Sequence, residues 1–453
     1  MAITLVQTPA NVLKAGQRII YVASSTKVLE TGFKFFVQVY DGTTKLFESY
    51  VSPNPSDFLI FDLSQIAGTL VKPDTSPVVG GVPIHSNITT VTHAFKRAPN
   101  INRFVQVRIG EVYEVTGTLT EFADLQNQDV HIIDGWDSPS DGYGKLLATD
   151  DFGLGKKIWA TDRVTSTKKL PEHISVTNTY GVIAIGAAEG DWGTIGFYNN
   201  NNTSPGINTL ATQIIYTMYE ADGTGIGTVT IGLTATTNSG LPTSTDGQDK
   251  LIYMDVYPGN LSGGANAIRS SGFHPKAQAD WSYYTFTPTT ASAVVVGATV
   301  CVFKEDDPCK HKRYVLGWQN SFGTYDYLPF TGRAEHEIKR KSKRFNTFLG
   351  NYDGTTFDFS VSDRQEAEYS ATANKYIKVS NYFTEGEYLI LQKAMVSKEV
   401  VLIESGSEDS TDSNPKVIPV LLDTNSMKVH EELESKMKSI ELTLKVAQTY
   451  AFS

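Results

Sequence analysis

Hydrophobic and polar positions alternate with a period of two over short stretches of this chain, and glycine, proline, asparagine and aspartate gather between them. Residues 33–40, FKFFVQVY, alternate as a strand does; Asp41-Gly42-Thr43-Thr44 then supplies turn chemistry, and KLFESYV resumes the extended pattern, so a hairpin is expected. Pro53-Asn54-Pro55 breaks the strand, Phe58 to Leu63 starts another element, and Asp62 to Ile66 reads as a helical turn or a strand edge. Val105 to Tyr113 closes the unit as a strand. Short strands separated by turn signals predict an N-terminal β-sandwich over residues 1–115.

Residues 116–175 centre on DGWDSPSDGYG and read as a connector. Strand character returns over 176–305, at 212–219, 226–235 and 281–303, with polar loops at 199–205 and 237–249, which predicts a second β-sandwich with long loops. In the C-terminal β-rich module, 306–453, Thr384 and Glu387 have capping-box spacing, and Tyr388, Leu391 and Met395 lie on one helical face. Strands are expected at 399–404, 416–422 and Met437–Tyr450. The fold class is therefore mainly β: a multi-module chain of Ig- or FnIII-like sandwiches whose C-terminal module carries one short helix.

Composition supports this reading and narrows the function. Over 453 residues, charged residues make up 19% and aromatic residues 11%, a balance that favours strands and turns. The formal net charge of −10 argues against direct nucleic-acid recognition. The sequence shows neither a leader nor a run of eighteen or more apolar residues, so synthesis in a cytoplasm and no membrane span are expected. Cys301 and Cys309 are too few for a disulfide framework.

The densest signal is Tyr314 to Arg333, YVLGWQNSFGTYDYLPFTGR. A strand from Tyr314, a turn at Asn320-Ser321-Phe322-Gly323 and a return strand through Tyr325, Tyr327 and Phe330 make a hairpin with an aromatic face, read as a docking element. Its candidate protein-interface residues are Trp318, Asn320, Gly323, Tyr325, Asp326, Tyr327, Phe330 and Arg333. A competing reading places the same aromatics in a core.

This stretch resembles a W-x-N-x-x-G-x-x-D-x-F-x-F pattern of structural proteins of tailed phages infecting Bacteroidetes-type bacteria, through Trp318, Asn320, Gly323, Asp326 and Phe330, with Leu328 replacing an aromatic. The N-terminal module is similar to the same family through Val39-Tyr40-Asp41-Gly42, Pro53-Asn54-Pro55 and Phe61-Asp62-Leu63-Ser64. The order of elements in the C-terminal part resembles it too. The resemblance implies a structural virion component of the tail, baseplate or neck ring, located in the virion. Its partners would be itself and other virion proteins, in a homo-oligomeric ring or other symmetric assembly. A receptor- or glycan-binding virion protein is the alternative, suggested by Tyr and Trp beside Asn- and Asp-rich loops, and a carbohydrate-active enzyme ranks third.

Candidate chemistry is thin. Cys301, Cys309 and His311 lack a fourth zinc ligand, and the eight histidines are scattered singly. Asp134, Asp137 and Asp141 have no EF-hand spacing and read as turn residues. Gly223-Thr224-Gly225-Ile226-Gly227 precedes strand-like residues where a dinucleotide loop needs a helix. No nucleophile elbow or phosphate loop occurs. No catalytic residue, metal or cofactor is expected, and the protein is read as a non-enzyme. The basic run Lys339, Arg340, Lys341, Lys343 and Arg344 reads as a solvated or subunit-bridging strip in preference to a DNA contact.

Overall fold

The alternation in residues 33–51 becomes a hairpin whose buried side chains face a second sheet. The computed structural model describes residues 3–9, 12–74, 95–98, 100–122, 125–136, 159–163, 170–198, 211–233, 251–262, 267–305, 311–358, 360–362, 364–404, 416–423, 429–431 and 437–452. The N-terminal unit contains β1 (Ile3–Gln7), β2 (Val12–Lys14), β3 (Ile20–Ser25), β4 (Lys34–Asp41), β5 (Thr44–Val51), β6 (Phe58–Asp62) and the helix α1 (Ser64–Leu70). After these come β7 (Phe95–Arg97), β8 (Asn102–Val115), β9 (Thr118–Glu121) and β10 (Gln126–Ile133). One sheet has the order β1-β3-β6; the other runs β2-β10-β8-β4-β5, with β9 beside β8. Phe35, Val37 and Val39 of β4 meet Tyr21, Ala23 and Leu59 of the small sheet in one core, as two-residue periodicity requires. Gly42 turns the β4–β5 hairpin at φ +57°.

The central unit adds β11 (Trp159–Ala160), β12 (Val182–Ala187), β13 (Thr194–Tyr198), β14 (Gln213–Tyr219), β15 (Gly225–Gly232) and β16 (Leu251–Asp255). Short helices α2 (Pro258–Ser262) and α3 (Ala267–Ser271) precede β17 (Tyr283–Thr289) and β18 (Thr299–Lys304). A five-stranded sheet, β12-β18-β17-β14-β15, packs on a four-stranded sheet, β11-β13-β16-β7. The glycines at 223–227 lie in the β14–β15 hairpin, where Gly223 takes φ +86° and the Glu220 amide donates to the Thr224 carbonyl at 2.9 Å.

The C-terminal unit comprises β19 (Tyr314–Gln319), β20 (Tyr325–Phe330), β21 (Ala334–Asn346), β22 (Asn351–Tyr352), β23 (Phe357–Asp358), β24 (Glu366–Phe383), α4 (Glu385–Ala394), β25 (Val400–Glu404), β26 (Lys416–Leu422), β27 (Val429–Glu431) and β28 (Lys438–Phe452). Its sheet has the order β20-β19-β25-β26-β28-β24-β21, with β27 on β28. At the start of α4 the Thr384 amide donates to Glu387 Oε2 at 2.9 Å, and Ile390, Leu391 and Ala394 bury the inner face.

The chain is mainly β, but its units interleave more than a linear series of modules implies. The N-terminal sheet does not close at residue 115, because β10, within the segment read as a connector, pairs along its length with β8 and in parallel with β2. From the same segment β11 joins β13, while β7 leaves the N-terminal stretch to pair with β16 of the central sheet. Local periodicity identifies a strand without naming the sheet that receives it.

Candidate assembly interface

The aromatic hairpin forms where its turn residues place it, with β19 paired to β20 and Gly323 at φ +84°. Its surroundings differ from those of a docking face. Trp318, Asn320, Tyr325, Asp326, Tyr327 and Phe330 are all buried within the chain. Alternation sends Tyr314, Leu316, Trp318, Leu328 and Phe330 into the C-terminal core, and Val315, Tyr325 and Tyr327 into the central core. The hairpin is the wall between two cores, and only Arg333, paired with Glu335 at 3.1 Å and 75% exposed, faces solvent. The unbroken apolar run YVLGW is the signal for this, since a strand buried on both faces loses its alternation.

The polar members of the motif tie the units together. Asn320 Nδ2 donates to the Ala160 carbonyl at 3.0 Å, and the Ser321 amide donates to Asp162 Oδ2 at 2.9 Å. Asp326 accepts from the Thr161 hydroxyl and, at 2.9 Å, from the Asp162 amide. Gln319 Nε2 donates to Asp134 Oδ2 at 2.9 Å, while Lys398 pairs with Asp134 and Lys393 with Asp162. A Cβ on Gly323 would lie 2.6 Å from the Asp134 carbonyl oxygen, so the position requires glycine for space as well as for its dihedral. Burial, reinforced by the neighbouring Asp162 charge, pushes the Asp326 carboxyl above its ordinary range. Asp134 is thus an ion-pair and hydrogen-bond acceptor between units; Asp137 and Asp141 lie outside the described residues, as does Cys309. Cys301 is buried, and its burial pushes the thiol up to about 12, so it is not poised as a nucleophile.

A different element offers a surface. β24 has 18 residues, a length of about 60 Å. Its C-terminal part pairs with β28 from Ala371 to Phe383, whereas residues 366–370 pair, among the described residues, with β21 alone, so the two strands run on past the sheet as a ribbon. The small β22–β23 hairpin lies within the ribbon's connection; Gly350 and Gly354 take φ +92° and +100°, and Asp353 Oδ1 accepts the Thr355 and Thr356 amides at 2.8 Å each. Nearly all of β21 is exposed. Arg340 and Arg344 pair with Glu368, and Arg344 also with Glu366 at 3.4 Å, while Lys339 Nζ lies 4.3 Å from the Tyr376 ring centroid. The basic run is therefore a solvated strip that fastens β21 to β24.

The ribbon also carries exposed apolar side chains set among its polar ones. Phe348 is 86% exposed and Val361 fully so; Phe345, Tyr352, Phe357 and Tyr369 are each about half exposed or more. Phe345 meets Tyr369 at 6.2 Å and Phe348 meets Phe357 at 5.6 Å, small aromatic pairs with solvent around them. Exposed aromatic residues concentrated on one projecting element mark an interaction surface. Sequence reasoning passed over it; the signal was β21 itself, AEHEIKRKSKRFN, polar on both faces and hence not a core strand.

No family model matches the chain, and no curated protein matches it. Among solved structures, a chain of the cryo-EM structure of the anti-feeding prophage (AFP) baseplate, 6-fold symmetrised, is weakly similar to this one. The match covers 33% of this chain and 97% of that one, at 12% identity and a TM-score of 0.19, a likeness too loose to carry an argument about function.

Proposed function

We propose that this protein is a structural component of a tailed-phage particle, in its tail, baseplate or neck ring, and that it acts by protein–protein assembly without a catalytic step. The observation that carries the reading is the β21–β24 ribbon, whose apolar side chains stay exposed among the described residues. A monomer gains nothing from holding Phe348 and Val361 in water; a neighbouring copy in a ring covers them. The chain's units share a core and the buried polar ties at Asp134, Asp162 and Asp326, which give load on the ribbon a path into its neighbours. The motif around Trp318 and the N-terminal segments supply the resemblance to tailed-phage structural proteins.

Shortening the ribbon, by replacing residues 347–364 with a tight turn between Asn346 and Gln365, tests the reading. Light scattering of the full chain is expected to show a defined oligomer, and the shortened chain a monomer with an unchanged melting temperature. A shortened chain that assembles like the parent refutes the role of the ribbon.

A further inference from the structure

The outer face of the five-stranded central sheet carries a second surface, unconnected with the ribbon. Residues 173–179 cross this face as a strap and leave an open groove of about 740 Å³ between themselves, β14, β17 and the turn at Asp222-Gly223. The strap is fixed. Ile174 is buried against Tyr283 and Cys301, and Asn178 Nδ2 donates to the Gly297 carbonyl at 2.9 Å and to Thr299 Oγ1 at 2.7 Å. Two-residue alternation leaves Ser175, Thr177 and Thr179 exposed on the strap and puts Thr285, itself buried, and the half-buried Thr287 on the groove side of β17.

Thr287 shares its hydroxyl with Thr299 at 3.0 Å, but those of Ser175, Thr177, Thr179 and Thr285 hold no hydrogen bond within the described residues. At one end Tyr219 stacks on Tyr283, centroids 4.7 Å apart, and keeps part of its own surface in solvent. Asp222 stands exposed beside the pair. The Thr224 amide, 2.8 Å from its Oδ1, holds its carboxyl below the usual range, so it is an ionised acceptor at neutral pH.

We infer that this groove binds a neutral saccharide. His173 is the one basic side chain of the lining and its Nε2 lies 3.3 Å from Ser282 Oγ, so with neither lysine nor arginine the groove holds no permanent positive charge for an anion; a single carboxylate does not make a cation site, and free hydroxyls do not suit an apolar ligand. Hydroxyl donors and acceptors in a row, one ionised acceptor and a tyrosine platform match a chain of sugar hydroxyls with an apolar ring face. The walls are preformed, so little ordering opposes binding.

The test is saturation-transfer NMR of the full chain with a panel of short neutral and acidic oligosaccharides, repeated on Thr285→Val and Thr177→Val, each of which deletes one hydroxyl and keeps the β-branched shape. A neutral oligosaccharide is expected to bind and to bind about tenfold more weakly to each variant, the loss of roughly one hydrogen bond, with melting temperature unchanged. The ribbon-shortened chain should bind as the parent does, which separates this inference from the assembly reading. Absence of binding across the neutral members, or binding indifferent to both substitutions, overturns it.

Discussion

Replacing Trp318 by alanine separates a docking hairpin from a core hairpin. Trp318 has no exposed surface and lies in the C-terminal core with Tyr314, Leu316, Leu328 and Phe330. A buried Trp→Ala change costs about 3–5 kcal/mol through lost burial and the cavity it leaves. The indole Nε1 has no hydrogen-bond partner among the described residues, so truncation sacrifices no polar contact there and removes an unsatisfied donor, which puts the expected cost at the lower end, about 3 kcal/mol. Trp318→Phe keeps most of the volume and should cost about 1 kcal/mol, in the range of milder core changes. Urea unfolding followed by circular dichroism measures both without depending on the tryptophan signal. The folded fraction of Trp318→Ala should still assemble, because the side chain touches no exterior surface. Unchanged stability combined with impaired assembly would refute the core placement.

Gly323→Ala should destabilise by at least 1–2 kcal/mol, the approximate cost of a left-handed backbone for an L-residue, because φ is +84° and the new Cβ would also meet the Asp134 carbonyl; differential scanning calorimetry reads the shift, and an unaltered melting temperature contradicts the turn geometry. Asp74 is buried beneath hydrogen bonds from Asn100 and Tyr253, and burial pushes its carboxyl up to about 6. An unfolded aspartate titrates near 3.9, so the native state retains the proton between about pH 4 and pH 6. The stability this adds is complete below about pH 4 and is lost as pH rises through about 6, and Asp74→Asn should flatten that part of the stability profile. A profile of unchanged slope in the variant would show that Asp74 is not its source.

Much of the strand and helix inventory was legible because local physics sets it. The 33–51 hairpin, the strands at 212–219, 399–404 and 416–422, and the long C-terminal strand follow from alternation and turn residues, and α4 follows from Thr384 and Glu387. What sequence withheld was partnership. That β10 belongs between β8 and β2, or β7 beside β16, depends on contacts distant in sequence, which periodicity does not encode. The same limit governed the site. Aromatic density at 314–333 looked like a surface because aromatic residues serve interfaces and cores alike, yet both faces of β19 and β20 have cores to fill. At the ribbon, Phe348, Tyr352 and Phe357 are isolated in polar surroundings, and only the pairing of β21 with β24 shows them on one projecting element.

Hydrogen exchange across assembly tests the central claim most directly. The amides of residues 347–364 should exchange rapidly in dilute, unassembled protein and slow markedly in the oligomer or particle, while the β19–β20 amides stay equally protected in both states. Slowing confined to other surfaces, with 347–364 exchanging alike before and after assembly, would contradict the ribbon as the assembly element.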